Sequence, residues 1–264
     1  MMDKARVFML FSSSKGNCAY IKYGKDEILI DCGASARAID HALKSIGTCL
    51  GNINAVFITH EHSDHIRGLN AISKHTNARF YAPEGCLDYI STYMHNSKRP
   101  MPLVSNTPIK MNDLAVCPIP TPHDARGSVG FRILAGEERI GYFTDIGHLS
   151  EGLLRGLSGC ERVVIESNHD IEMLKNGSYP YALKQRILGA TGHLSNEMCA
   201  KLLPHLANHG SRSFMLAHLS EENNTPEIAF DECLCSLKEA GFSVCEEGGI
   251  NLTVAPVCGV TELV

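Results

Sequence analysis

The 264-residue chain lacks any apolar run long enough to cross a bilayer, and Met1-Met2-Asp3-Lys4-Ala5-Arg6 leads into only five apolar residues, Val7 to Phe11. A spanning helix needs about 20 such residues and a signal peptide's core about 7–15. Neither a membrane partner nor export is therefore expected, and a cytoplasmic location is. Basic excess is also missing: 24 Lys and Arg stand against 29 Asp and Glu, a formal net charge of −5. That balance argues against a globally basic nucleic-acid binder, but a local basic groove is still allowed, because association responds to the field near a site. No internal repeat or low-complexity segment is evident. Zinc-ribbon spacing is absent as well. The one tight cysteine pair, Cys233-x-Cys235, lies in a helical pattern without partners. The eleven cysteines are an odd count in a long chain without an export signal, which points to reduced thiols acting as small core hydrophobes.

Hydrophobic content of 44% and charged content of 20% are ordinary for a soluble globular chain, and the length can bury a full core as one large domain or two small halves. Apolar alternation and turn residues predict strands at Val7–Phe11, Cys18–Tyr23, Glu27–Ile30, Ala55–Ile58, Ala78–Tyr81, Leu114–Ile119, Val129–Leu134, Arg139–Thr144, Val163–Ile165 and Phe214–Ala217. Helices are expected at 36–46 after a Ser35 cap, at 66–74, near Pro83, around 171–188, at 196–208 and at 226–240. The proline-rich segment His95 to Ile109 reads as a loop. Strand-rich then helix-rich stretches in each half suggest two packed sheets with helices outside.

Polar clusters fall just after strands, where such a fold gathers its ligands. The densest is Thr59-His60-Glu61-His62-Ser63-Asp64-His65. His60 and His62, two apart on extended chain, point the same way. Asp64 and His65 sit where the chain turns into a helix. This one loop offers two ligands to each of two adjacent cations, and imidazole with carboxylate suits zinc, manganese or iron(II). His123, Asp145 and His218 each follow an apolar strand and could complete the set. A bridging Asp145 would join His60, His62 and His123 on one ion, and Asp64, His65 and His218 on the other.

This pattern resembles the metallo-β-lactamase superfamily, whose signature is His-x-His-x-Asp-His followed by a later His, Asp and His. The resemblance runs from Phe8 to His218 and implies a four-layer αββα sandwich, with Asp31 orienting the metal loop without necessarily binding metal. Ser12-Ser13-Ser14-Lys15-Gly16-Asn17, Thr144-Asp145-Ile146-Gly147, Glu166-Ser167-Asn168-His169-Asp170, Gly192-His193-Leu194-Ser195-Asn196 and His218-Leu219-Ser220-Glu221-Glu222-Asn223-Asn224 are similar to the YycJ (WalJ) subgroup. That subgroup implies a metal-dependent nuclease with 5′-to-3′ exonuclease action on DNA. A departure is Ser13, where the subgroup usually carries Gly.

Two divalent ions, zinc or manganese, would supply a bridging hydroxide from water whose pKa falls to about 7. Asp64 is the candidate to accept its proton. His193 is the candidate general acid, supported by Glu166, a pairing that the related ribonuclease Z implies, and His169 is a rival. Ser14 and Asn17 belong to a segment that reads either as a phosphate cradle or as a hairpin turn. With Asn168 and Asn196 they are candidate substrate contacts, and Lys98-Arg99 and Lys184-Gln185-Arg186 could meet a phosphate backbone. A glyoxalase II-type thioesterase would use a similar ligand set, but its helical substrate domain is not evident. A non-catalytic metal-binding protein would be favoured by broken ligands, yet all seven positions are filled. Asp145 and His218 stand 73 positions apart, a separation already used by helices and strands, so the inserted domain of the superfamily's multi-domain nucleases is not expected and residues 1–264 read as one domain.

Overall fold

The structure, a computed structural model, describes residues 4–95 and 98–264. Its first sheet begins with a meander, β1 (Arg6–Ser13), β2 (Gly16–Tyr23) and β3 (Asp26–Ile30). After helix α1 (Ala36–Ser45), capped by the Ser35 side chain, come β4 (Ala55–Phe57), the short helices α2 (Ser63–Ile66) and α3 (Leu69–His75), β5 (Arg79–Pro83), α4 (Leu87–Met94) and β6 (Met101–Leu103). The second sheet takes β7 (Ile109–Lys110), β8 (Leu114–Pro120), β9 (Val129–Ala135) and β10 (Glu138–Phe143). These are followed by α5 (Glu151–Leu157), β11 (Arg162–Glu166), α6 (Ile171–Asn176), α7 (Tyr181–Leu188), α8 (Asn196–Asn208), β12 (Ser213–Ala217), α9 (Pro226–Glu239) and β13 (Asn251–Val254). Strand β14 (Cys258–Glu262) returns to pair with β1. Among the described residues the spatial orders are β14-β1-β2-β3-β4-β5-β6 and β13-β12-β11-β10-β9-β8-β7.

Period-two alternation builds the layers. Val7, Met9, Ile28, Ile30, Phe57, Phe131, Ile140 and Tyr142 face the space between the sheets. Their neighbours Phe8, Leu10, Leu29 and Val56 pack outward against Ile39 and Leu43 of α1 and Ile72 of α3. On the far side, Phe143, Val163, Ile165 and Phe214 meet Leu203 and Leu206 of α8 and Leu237 of α9. This is the expected αββα sandwich.

Several local expectations need correction. The helix after the histidine loop starts at Ser63, so Asp64 and His65 lie within its first turn, and it breaks before α3. Gly68 marks the break: a Cβ there would stand 2.1 Å from the Ala34 carbonyl oxygen. The loop expected at 95–109 contains β6 and ends on the first residue of β7, while residues 96 and 97 lie outside the described residues. Pro102 is tolerated because β6 is an edge strand. Helix α5 was not anticipated; its two glycines, Gly152 and Gly156, weaken the helical pattern. Nor were β13 and β14, largely half-exposed edge strands with weak alternation. Ser13 ends β1 opposite Gly16 and is not among the residues with positive φ, so it needs no glycine. Cys18, Cys32, Cys86, Cys160, Cys199 and Cys233 are buried, but Cys235, Cys245 and Cys258 are exposed and not core.

Candidate metal centre

The carboxyl ends of β3, β4, β8, β10, β11 and β12 open on one edge of the sandwich, and every expected ligand lies there. Strand β4 runs out through Thr59 and His60, and His62 is the extended cap of α2. His60, His62 and His123 bring nitrogens within 4.8 Å of one another, and so do the ligand atoms of His60, His65 and Asp145, and those of Asp64, His65 and His218. Gly33 permits this convergence: a Cβ there would fall 1.6 Å from the Asp64 carbonyl oxygen. Asp31, Asp145 and His218 have φ of 61°, 58° and 57°. Non-glycine residues take this left-handed conformation at a cost of about 1–2 kcal/mol each, so their surroundings hold them there.

The hydrogen bonds set which ring nitrogen is free. Asp31 is wholly buried; its Oδ1 accepts from the Thr59 amide at 2.8 Å. Its Oδ2 accepts from the Thr59 hydroxyl at 2.8 Å and from His65 Nδ1 at 2.7 Å. The Thr59 hydroxyl, its proton committed to Asp31, accepts from His60 Nδ1 at 3.0 Å. His123 Nδ1 donates to the Gly192 carbonyl at 3.1 Å, and His218 Nδ1 to Glu166 Oε1 at 2.8 Å. In each case Nε2 is turned to the cavity, as a metal-binding imidazole requires; there His65 Nε2 meets the Asn17 side-chain amide at 3.2 Å and His218 Nε2 meets Asp64 Oδ2 at 3.5 Å. His62 Nδ1 and His123 Nε2 face each other at 3.3 Å.

Two buried atoms, His60 Nε2 and Asp145 Oδ2, have no hydrogen-bond partner. Leaving such groups unsatisfied is costly, and a cation at this point would satisfy both. The charges agree. Burial raises Asp145, but His218, His65, His60 and His123 hold its carboxyl well below the usual range. Burial also raises Asp64, and His65 and His218 outweigh it, so Asp64 too stays ionised. Burial lowers His218, yet Asp145, Asp64 and Glu166 drive it up to about 10. Burial lowers His65 too, but Asp145, Asp31 and Asp64 raise it well above its ordinary value, whereas burial prevails at His60 and His123 and lowers both. The donor set fits divalent metal of the borderline class.

Glu166 ends β11 fully buried. Its Oε2 accepts from the amides of Ile146 at 2.7 Å and Leu194 at 3.0 Å, and its Oε1 from His218 and, at 2.9 Å, from His193 Nδ1. Burial raises its carboxyl; the two histidines bring it down to about 2. His193 lines a cleft of about 220 Å³ beside Asp64, Asp145 and His218. His169 does not: it is 1% exposed, and burial lowers its ring to about 4, which favours the neutral imidazole over the imidazolium.

The expected substrate contacts divide. Ser14 and Asn168 line the cleft, and Asn168 also donates to the His218 carbonyl at 2.8 Å. Asn17 is buried instead. Its amide donates to the Ser13 carbonyl at 2.9 Å and to Asp64 Oδ2 at 3.3 Å, which makes it a brace for Asp64. Asn196 is sealed beneath the surface, bonded to Ser167 and Asn224, and cannot meet substrate. Ser12 to Asn17 is a hairpin, with Ser12 Oγ accepting from the His218 amide at 2.7 Å. Lys98 and Lys184 donate to backbone carbonyls, Lys98 to those of Ser73 and Thr76 and Lys184 to those of Lys175 and Gly177. Sequence reasoning missed Thr59, whose only signal is its place before His60, and Asp124, whose pairing with the already noted Arg186 no local pattern marks.

The family model described as Beta-lactamase superfamily domain matches residues 26–219. The chain is 32% identical over 241 residues to exodeoxyribonuclease WalJ of Streptococcus pneumoniae, covering 89% of each. It is 30% identical over 247 residues to exodeoxyribonuclease YycJ of Bacillus anthracis, covering 93% of this chain and 94% of that one. Among solved structures, the metallo-beta-lactamase fold protein YhfI of Bacillus subtilis superposes with a TM-score of 0.74 at 13% identity, covering 98% of this chain and all of that one, a likeness of fold.

Proposed function

The chain belongs to the beta-lactamase superfamily, and from that premise we propose that it is a divalent-metal-dependent phosphodiesterase, a 5′-to-3′ exonuclease acting on DNA. The observation that carries this reading is the convergence of seven donors, among them two buried atoms without a hydrogen bond, His60 Nε2 and Asp145 Oδ2. The exodeoxyribonuclease names of the two relatives support the choice of substrate.

His60, His62, His123 and Asp145 would hold one ion, and Asp64, His65, Asp145 and His218 a second, zinc or manganese. When bound, such ions supply Lewis-acid stabilisation and acidify water. The rest falls to the chain. Asp31, the Thr59 hydroxyl, the Gly192 carbonyl and Glu166 fix the imidazole tautomers, so no reorganisation is needed during reaction. Asp64, ionised and oriented by the Asn17 amide, accepts the proton of the attacking water. His193 faces the cleft with Nδ1 bound to Glu166, so its Nε2 delivers the proton that the leaving oxygen needs. One Glu166 oxygen thereby keeps a ligand and the acid in register.

The test is incubation of metal-loaded protein with end-labelled double-stranded DNA, single-stranded DNA and RNA, in zinc and in manganese separately, beside Asp64→Ala. Stepwise release of 5′ nucleotides from DNA is expected, slowed on the order of 10²–10⁴-fold in the variant. Cleavage of only a thioester or a small phosphodiester, with every polymer intact, would overturn the reading.

A further inference from the structure

One wall of the cleft, contributed by α7 and the turn before it, carries groups that the catalytic steps leave unused. Arg186 is the one Lys or Arg among the residues lining the cleft. Asp124, next to His123, holds its guanidinium as a planar fork, Nε to Oδ2 at 2.5 Å and Nη2 to Oδ1 at 2.8 Å. A guanidinium has five N–H donors. The fork uses two; both on Nη1 and one on Nη2 have no protein acceptor among the described residues. The pair is half open to water, the Arg186 side chain being 44% exposed, and pairs so placed contribute little to folding stability. Its effect is to hold a charged, directional donor at the cleft. Tyr179 and Leu183 line the cleft beside it.

We propose that Arg186, preset by Asp124, and the Tyr179–Leu183 wall form the subsite for one unpaired nucleotide at a polynucleotide end. The free guanidinium edge takes two oxygens of a phosphate, a geometry that arginine matches and lysine does not. The aromatic ring gives the base a sequence-tolerant stacking face. Arg186 is thus a binding residue, and Asp124 a positioning residue that removes the entropy of ordering it. The inference rests on the nuclease reading and assigns it a grip on substrate distinct from the metal ligands.

The test compares wild type, Arg186→Gln and Arg186→Lys on 5′-phosphorylated and 5′-hydroxyl single-stranded DNA of one sequence, with thermal melting of all three. Binding is measured in an Asp64→Ala background so that the strand stays intact. In Arg186→Gln, KM is expected to rise about tenfold or more while kcat changes much less, and the salt dependence of binding to fall by about one phosphate contact. Arg186→Lys should restore the salt dependence but not KM. A larger effect on the phosphorylated strand identifies the terminal monoester as the group held; an equal effect identifies an internal diester. An unchanged KM in a folded Arg186→Gln protein overturns the proposal. So does a loss of kcat alone accompanied by a lowered melting temperature, the mark of a purely structural pair. Wild-type inactivity on every strand would overturn the nuclease reading itself.

Discussion

The two sheets use the same device at the same topological place. Strand β3 has an antiparallel neighbour, β2, on one side and a parallel neighbour, β4, on the other; β10 is flanked in the same way by β9 and β11. Each strand begins near an anchored glutamate, Glu27 or Glu138, and is followed by a left-handed aspartate, Asp31 or Asp145. The two aspartates differ in what they meet. Both Asp31 oxygens are satisfied by Thr59 and His65, whereas Asp145 keeps a buried oxygen with no hydrogen bond. One turn aims a carboxylate into the protein as a brace, and the other aims one into a cavity as an open donor. Backbone geometry places the group; the neighbouring polar atoms decide its role.

The sharpest way to break the comparison is Asp145→Asn. Asparagine tolerates the left-handed backbone, so the fold should survive. Metal content by mass spectrometry should fall, and nuclease activity should drop on the order of 10³-fold. Asp31→Asn should be milder, because it alters only the support of His65 and Thr59. Metal affinity measured by calorimetry is expected to fall about 10–100-fold. Equal losses in the two variants would mean that Asp31 acts as more than a brace.

The opposite ends of the two strands should differ in stability. Glu138 pairs with the nearly buried Arg162, Nε to Oε1 at 2.7 Å and Nη2 to Oε2 at 2.8 Å, and Arg162 also binds the carbonyls of Ala5 and Leu263. Glu138→Gln strands a buried cation and should cost about 3 kcal/mol in denaturant unfolding. Glu27 accepts from Thr48, Lys22 and Tyr20, and Glu27→Gln should cost about 1 kcal/mol. Burial raises the Glu27 carboxyl, but those three bonds leave it below its ordinary 4.5. Its contribution is therefore present above about pH 4.5 and lost as pH falls through the lowered value. Unfolding midpoints for Glu27→Gln should accordingly depend less on pH over that acid range.

Much of the site could be read from local patterns. His60, His62, Asp64 and His65 lie within six residues, so the strand-to-helix transition alone directs them to one place. His123, Asp145 and His218 were harder, because each is a single residue after a strand, and only their joint occurrence pointed to a common cavity. Helix α8, with its Ser195 cap and apolar periodicity, matched its expected span of 196–208. Strands β13 and β14, with little alternation, could not be read in that way. The asparagines were least legible. Asn17, Asn168 and Asn196 carry the same side chain after similar loops, yet the first braces Asp64, the second lines the cleft and the third is sealed at the start of α8.

Local sequence was enough for the layered architecture, the histidine loop and the order of candidate donors along the chain, because strand and helix periods set side-chain direction within an element. Tertiary structure decided the rest: that Asp31 is closed and Asp145 open, that one Glu166 oxygen serves two histidines, that Arg186 reaches Asp124 across 62 residues. These depend on strand register and on which element packs over which, and no local spacing encodes the distance between atoms that meet only when two sheets close on each other.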